Sequence, residues 1–323
     1  MEYYAHSYGA ENLFMMSDMT EAASITDDTI SWSTNTFSEM YVVTSDSSEA
    51  TVTVSTTFNL DRIPNADTFF QSPDGVTFCV ESDVILEACS TAFHLSARMQ
   101  PSSSGTTMSL MFLDIPSEEL NVLLHALYCT SPAANSPDID TLVRAIDCMS
   151  QHGLTPSSLM QASSPLHGLV LSHAPRHPVK VYALAARHGL TELARKASSY
   201  LLEYDLKQIT DEVAERIGPL YLLKVAVLQI DRFNSLKNIL LRPPVFHAPI
   251  PTCTLEDQRA LTRIWSLAAC QFAWETRMDL TEFKLRSQID PGKNQLKCKK
   301  CQKILDDQVK DVLAQWMRVR RTI

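Results

Sequence analysis

After Pro116 no stretch of this 323-residue chain alternates apolar and polar side chains, so any sheet must be built from the residues before it. Strand signals concentrate in two short runs. TFFQSPDGVTFCV predicts strands over 68–71 and 76–80, joined by Ser72-Pro73-Asp74-Gly75, in which Pro presets φ and Gly accepts a positive φ. That is a β-hairpin. In TTMSLMFLDIP, Met108, Leu110 and Phe112 alternate with Ser109, Met111 and Leu113, which predicts a third strand covered on both faces. Between the runs, DVILEACSTAFHLSARM places Val84, Leu86, Cys89 and Phe93 mostly at helical spacing, with Asp83 or Ser82 able to cap the start. Few short strands followed by helices alone make an α+β fold.

The helical part is regular. Ser117 is placed to cap SEELNVLLHALYC, where Glu118 and Glu119 lie at the positive end of the helix dipole and Leu120, Leu123, Leu124 and Leu127 form an inward stripe. DIDTLVRAIDCMSQHG repeats the design with Leu142, Ile146 and Met149 inward. His-Gly-Leu-Thr then occurs twice, at 152–155 and 188–191, and each predicts Gly at a left-handed C′ position, Leu packed beside it and Thr as the next N-cap. A solenoid needs about three repeats to bury its faces, and no third copy occurs. Helical signal continues through LKQITDEVAERIG and YLLKVAVLQIDRFNSLKNILL, breaks at RPPVFHAPIPT, and resumes in LEDQRALTRIWSLAACQFAWETRM. A last helix is expected from Cys298 or Gln302 through Ile304, Val309, Leu313 and Trp316.

Composition sets the compartment and the ends. Residues 1–62 are rich in Ser, Thr, Asp and Glu, with Arg62 the only Lys or Arg up to Ala66, and are expected to be a mostly disordered tail; TVTVSTTF alternates, but its hydroxyl side chains bury little apolar area. No apolar run approaches the ~18 residues a membrane span requires, and the start lacks a basic segment followed by an apolar one, so the expectation is a cytoplasmic or nuclear protein with no membrane association. The eight cysteines then read as free thiols, most of them in apolar stretches.

The order of hairpin, helix, strand and helical hairpins resembles the BTB/POZ fold. NADTFFQSPDGVTFCVESDVILEACSTAF is similar to that family's opening, with Asp67, Phe78, Val80, Leu86, Ser90 and Phe93 on its pattern, and VYALAARHGLTELARKA resembles the run that follows the family's core. The nearest likeness is to fungal BTB-domain proteins with a helical C-terminal half ending in a Cys-x-x-Cys helix. The resemblance implies a tail at 1–62, a BTB/POZ-like domain at 63–175, an all-helical region at 176–323, and a protein-binding adaptor that forms homodimers. The dimer-face residues expected are Val84, Leu86, Phe93 and Met99. In cullin-binding members a hydrophobic residue followed by Glu stands in a loop whose counterpart here, MQPSSSGTT, has no such pair, so a cullin-type ubiquitin ligase is unsupported as a partner.

No Walker loop, G-x-S-x-G, G-x-G-x-x-G or H-E-x-x-H motif is present, and the expectation is a non-enzyme without a cofactor. Pro175 keeps His173 and His177 from converging as helical neighbours. Cys298-x-x-Cys301 is the best site candidate; it reads foremost as a helix start with two thiols, and zinc would require Cys253 and Cys270 to converge on the pair. Lys297, Lys299 and Lys300 would favour a thiolate there. The basic end, from KCKKCQK to RVRR, offers Trp316 alone for stacking, and Trp316 fits its helix's apolar stripe, so nucleic-acid binding is not expected.

Overall fold

A computed structural model describes residues 53–95, 109–274 and 280–323. The chain divides into two units, Met1–Ser47 and Ser48–Ile323, and every described residue lies in the second. The hairpin falls on its predicted spans: β2 (Thr68–Gln71) and β3 (Val76–Val80) pair antiparallel, and Gly75 closes the turn at φ +82° with its N–H on the Ser72 carbonyl at 3.0 Å. β4 (Ser109–Phe112) lies parallel to β2, and a short β1 (Thr53–Val54) lies parallel to β3, giving the order β1-β3-β2-β4. The expected helix after the hairpin is broken. α1 (Ser82–Ala88) stops at Cys89, whose φ of −157° is extended, and Phe93 and His94 take positive φ in a single 3-10 turn that swings Phe93 inward, 4.9 Å from the Phe70 ring. Thr91 supplies a reason, because its hydroxyl is drawn out to the Gly153 carbonyl.

Two aspartates flanking β2 start two helices. Asp67 accepts the Ser82 N–H at 2.8 Å and the Ser82 hydroxyl; Asp74, in the hairpin turn, accepts the Ser117 N–H at 3.0 Å and its hydroxyl at the start of α2 (Ser117–Leu127). Ser82 and Ser117 are therefore first helical residues, not caps, since a carboxylate from the sheet is the stronger acceptor at a helix's positive end. The threonines of the repeated tetrapeptide shift likewise. Thr155 is N-cap without a side-chain bond, and Thr191 is one residue inside its helix, behind Leu190. Their glycines behave as expected, with Gly153 at φ +72° and Gly189 at φ +65°.

The remaining helices are α3 (Ile139–Cys148), α4 (Pro156–Leu159), α5 (Pro165–Ser172), α6 (Pro178–Arg187), α7 (Thr191–Ser198), α8 (Asp211–Leu240), α9 (Leu255–Trp274), α10 (Glu282–Lys293) and α11 (Lys299–Met317). α8 unites the two predicted helices, which meet at Gly218 (φ +74°) and Pro219. On α11 the buried stripe is Cys301, Leu305, Val309, Val312 and Trp316, so Ile304 and Leu313 lie beside it, half-buried. The described residues therefore form a small mixed sheet with many helices, an α+β arrangement. Among them no helix is long and apolar enough to cross a membrane.

Two apolar cores hold this together. The first runs from Phe58 through the sheet, α2, α3, α6 and α7 to Val225; the second joins Leu236 and Leu240 to Trp265, Leu285, Leu305 and Val312. The seam crosses α8 between Val225 and Leu236, so the expected division at 175/176 coincides with no break in packing. The expected tail boundary moves too. Phe58 is 2% exposed, with ring contacts to Phe78, His125 and Tyr128, because one aromatic burial offsets what the hydroxyl-rich run around it cannot. Residues 1–52 of the predicted tail lie outside the described residues.

Candidate functional site

The linker between α8 and α9 carries Pro243, Pro244, Pro249 and Pro251, which deny it helical geometry and keep it extended. Around Pro251-Thr252, Ile250 and Cys253 exchange backbone hydrogen bonds of 3.0 and 2.9 Å, a tight turn that drives Cys253 inward to 1% exposure. Six residues before Cys253, His247 places its Nδ1 2.7 Å from the Ala248 carbonyl. Nδ1 is then the protonated nitrogen, and the Nε2 lone pair is left facing inward. From the other side comes the start of α11, where Cys298 is the N-cap and Cys301 lies three residues on, on the same face.

These four meet. Cys253 Sγ lies 3.6 Å from Cys301 Sγ, His247 Nε2 lies 3.3 Å from Cys301 Sγ and 3.5 Å from Cys298 Sγ, and all four donor atoms are within 4.8 Å of one another. Their environments differ. The Cys301 and Lys300 N–H groups, with His247 and Cys253, draw the Cys298 thiol down to about 6 against the effect of burial. Burial, with the neighbouring Cys253 and Cys298 sulfurs, pushes the Cys301 thiol up to about 12, and burial also raises Cys253. The arrangement is one thiolate, two thiols and an imidazole lone pair converging on a common centre, a soft donor set suited to a tetrahedral metal ion.

Of the sequence candidates, Cys298, Cys301 and Cys253 converge, whereas Cys270 is exposed on α9, whose inward face is Leu261, Trp265, Ala268 and Phe272. The fourth member, His247, is not among the candidates the sequence offered. The His-x5-Cys spacing inside a proline-rich break was the available signal. The expected dimer residues are dispersed: Val84 and Leu86 are half-buried on α1, Phe93 is 3% exposed in the first core, and Met99 lies outside the described residues. Apolar side chains are presented elsewhere. β4, with β2 as its strand neighbour, exposes Leu110 at 52% and Phe112 at 71%, so only the face that carries Met111 and the following Leu113 is covered. On α8, Leu220, Leu223, Val227 and Ile230 are exposed at three- and four-residue steps.

Compared with known proteins, the chain matches no family model, no curated protein and no solved structure.

Proposed function

We propose that this chain is a non-enzymatic protein-interaction module of the BTB/POZ type, which pairs with a second copy of itself and serves as an adaptor or scaffold. The observation that carries this reading is the edge of the sheet at β4, which pairs with no further strand among the described residues. β4 lies at the end of the strand order and projects Leu110 and Phe112 outward, and an apolar edge strand that accepts no partner invites aggregation. Pairing of two such edges joins main-chain hydrogen bonding to apolar burial, with about 1,600 Å² as the area of an ordinary stable interface. The order of β2, β3, α1, β4 and α2, with β4 parallel to β2, supports the BTB/POZ reading. Val84 and Leu86 on α1 are the further residues we assign to the pairing face. The exposed α8 seam has the spacing of a coiled-coil stripe and suits an amphipathic helix from a second protein. The eight cysteines, free of disulfides, support a cytoplasmic or nuclear setting for this module.

Light scattering at micromolar concentration tests the pairing. The expected mass is twice the 36.1 kDa of one chain, falling to one chain in Phe112→Asp, an exposed position where folding is retained by circular dichroism. A 36.1 kDa species unchanged by Phe112→Asp or Leu86→Asp would remove the reading.

A further inference from the structure

We infer that His247, Cys253, Cys298 and Cys301 hold one zinc ion in closed tetrahedral coordination, and that this ion fastens the start of α11 to the α8–α9 linker. The geometry is that of a ligand set around an ion. Zinc with sulfur at ~2.3 Å and imidazole nitrogen at ~2.0–2.1 Å, at tetrahedral angles, sets sulfur–sulfur edges near 3.8 Å and sulfur–nitrogen edges near 3.6 Å. Of the six edges, three are 3.6 Å for Cys253–Cys301, 3.5 Å for Cys298–His247 and 3.3 Å for Cys301–His247, and the other three lie within 4.8 Å. Three thiols with one imidazole exclude the oxygen-seeking cations, magnesium and calcium, and match a structural zinc site.

The surroundings agree at three points. The Ala248 carbonyl fixes the His247 tautomer that leaves Nε2 free to coordinate. Three thiolates on a divalent ion carry one net negative charge, and the site places that charge at the N-terminus of α11, beside Lys297, Lys299 and Lys300. All four positions are taken by side chains, and Cys253 and Cys301 are each 1% exposed, so the coordination has no open place for a substrate or water. The role is structural. The ligands come from two segments 45 residues apart, between Cys253 and Cys298, and both thiols most deeply buried belong to the second core. On binding, the thiol protons leave to solvent, so affinity falls as pH is lowered. The inference does not depend on the docking role proposed above.

The full-length chain, purified without chelator under reducing conditions, provides the test. Elemental analysis is expected to find one zinc per chain, released to a metallochromic dye when a mercurial modifies the thiols. Exchange with cobalt(II) is expected to give the intense visible bands of a tetrahedral ion and thiolate-to-cobalt charge transfer in the near ultraviolet. Cys298→Ser should retain less than a tenth of the zinc, while Cys270→Ser retains all of it. His247→Gln should bind cobalt at least tenfold more weakly. Absence of stoichiometric metal with an octahedral cobalt spectrum, full zinc retention in Cys298→Ser, or a Cys253–Cys301 disulfide in the reduced preparation would each overturn the assignment. The wild-type measurements stand even if a ligand variant fails to fold.

Discussion

Gly153 and Gly189 occupy the same place in the same tetrapeptide, yet their surroundings separate them. Both have left-handed φ, but a Cβ on Gly153 would sit 2.1 Å from the Thr91 carbonyl oxygen, whereas one on Gly189 meets nothing within 4 Å. Gly189→Ala is expected to cost about 1 kcal/mol, the conformational penalty alone, and Gly153→Ala about 3 kcal/mol once the backbone of the α1–β4 connection is displaced. Urea unfolding of the two variants measures the difference. Asp147 on α3 gathers His188 at 2.7 Å, Arg216 at 2.6 Å and Arg187 at 3.7 Å from α6, its C-terminal cap and α8. Burial alone would raise its carboxyl, but the His188 and Arg216 hydrogen bonds and the two guanidinium charges hold it below the usual carboxylate range. A depressed folded value contributes stability that is present above the unfolded value of about 3.9 and is lost as pH falls through the folded one. Denaturation between about pH 5 and pH 2 should therefore show a decline that Asp147→Asn reduces. The sequence marked both glycines through a local backbone need. It could not mark what Asp147, Asp67 and Asp74 hold, since their partners are remote in the chain.

At the scale of elements, legibility followed periodicity. The hairpin and most helices after Ser117 are written in local patterns and appear near where those patterns place them, whereas α5 and α10 lie in stretches where no helix was expected. β4 shows the limit: an unbroken apolar run suits both a strand covered on two faces and an edge strand with one open face, and Phe112 at 71% exposure decides for the second. β1 is visible as alternation in TVTVSTTF, but the apolar area of its paired residues is small, and Phe58 at the end of that run supplies what they lack. Phe58→Ala is expected to cost about 3–4 kcal/mol, and a chain beginning at residue 63 should melt well below one beginning at residue 48; thermal unfolding followed by circular dichroism measures both. The site was half-written. Cys298 and Cys301 stand out as a pair, but helical phase turned Cys270 away, and His247 belonged to a linker with no periodic signal at all.

For the whole molecule, the two cores meet along α8, and the basic C-terminus is folded back onto both. Arg232, 4% exposed, donates to the Val319 and Arg320 carbonyls at 3.1 and 2.8 Å and lies 4.2 Å over the Trp316 ring, while the Ile323 N–H reaches Ser198 Oγ at 3.1 Å. The proposed pairing edge lies at the sheet end and the proposed metal ligands at the other core, so the two proposals concern different parts of one scaffold. A metal chelator should accordingly lower the melting temperature of the full chain. Native mass spectrometry of the full-length protein reads both properties at once. The account predicts a species of two chains carrying two zinc ions; a single chain with no bound metal would contradict it.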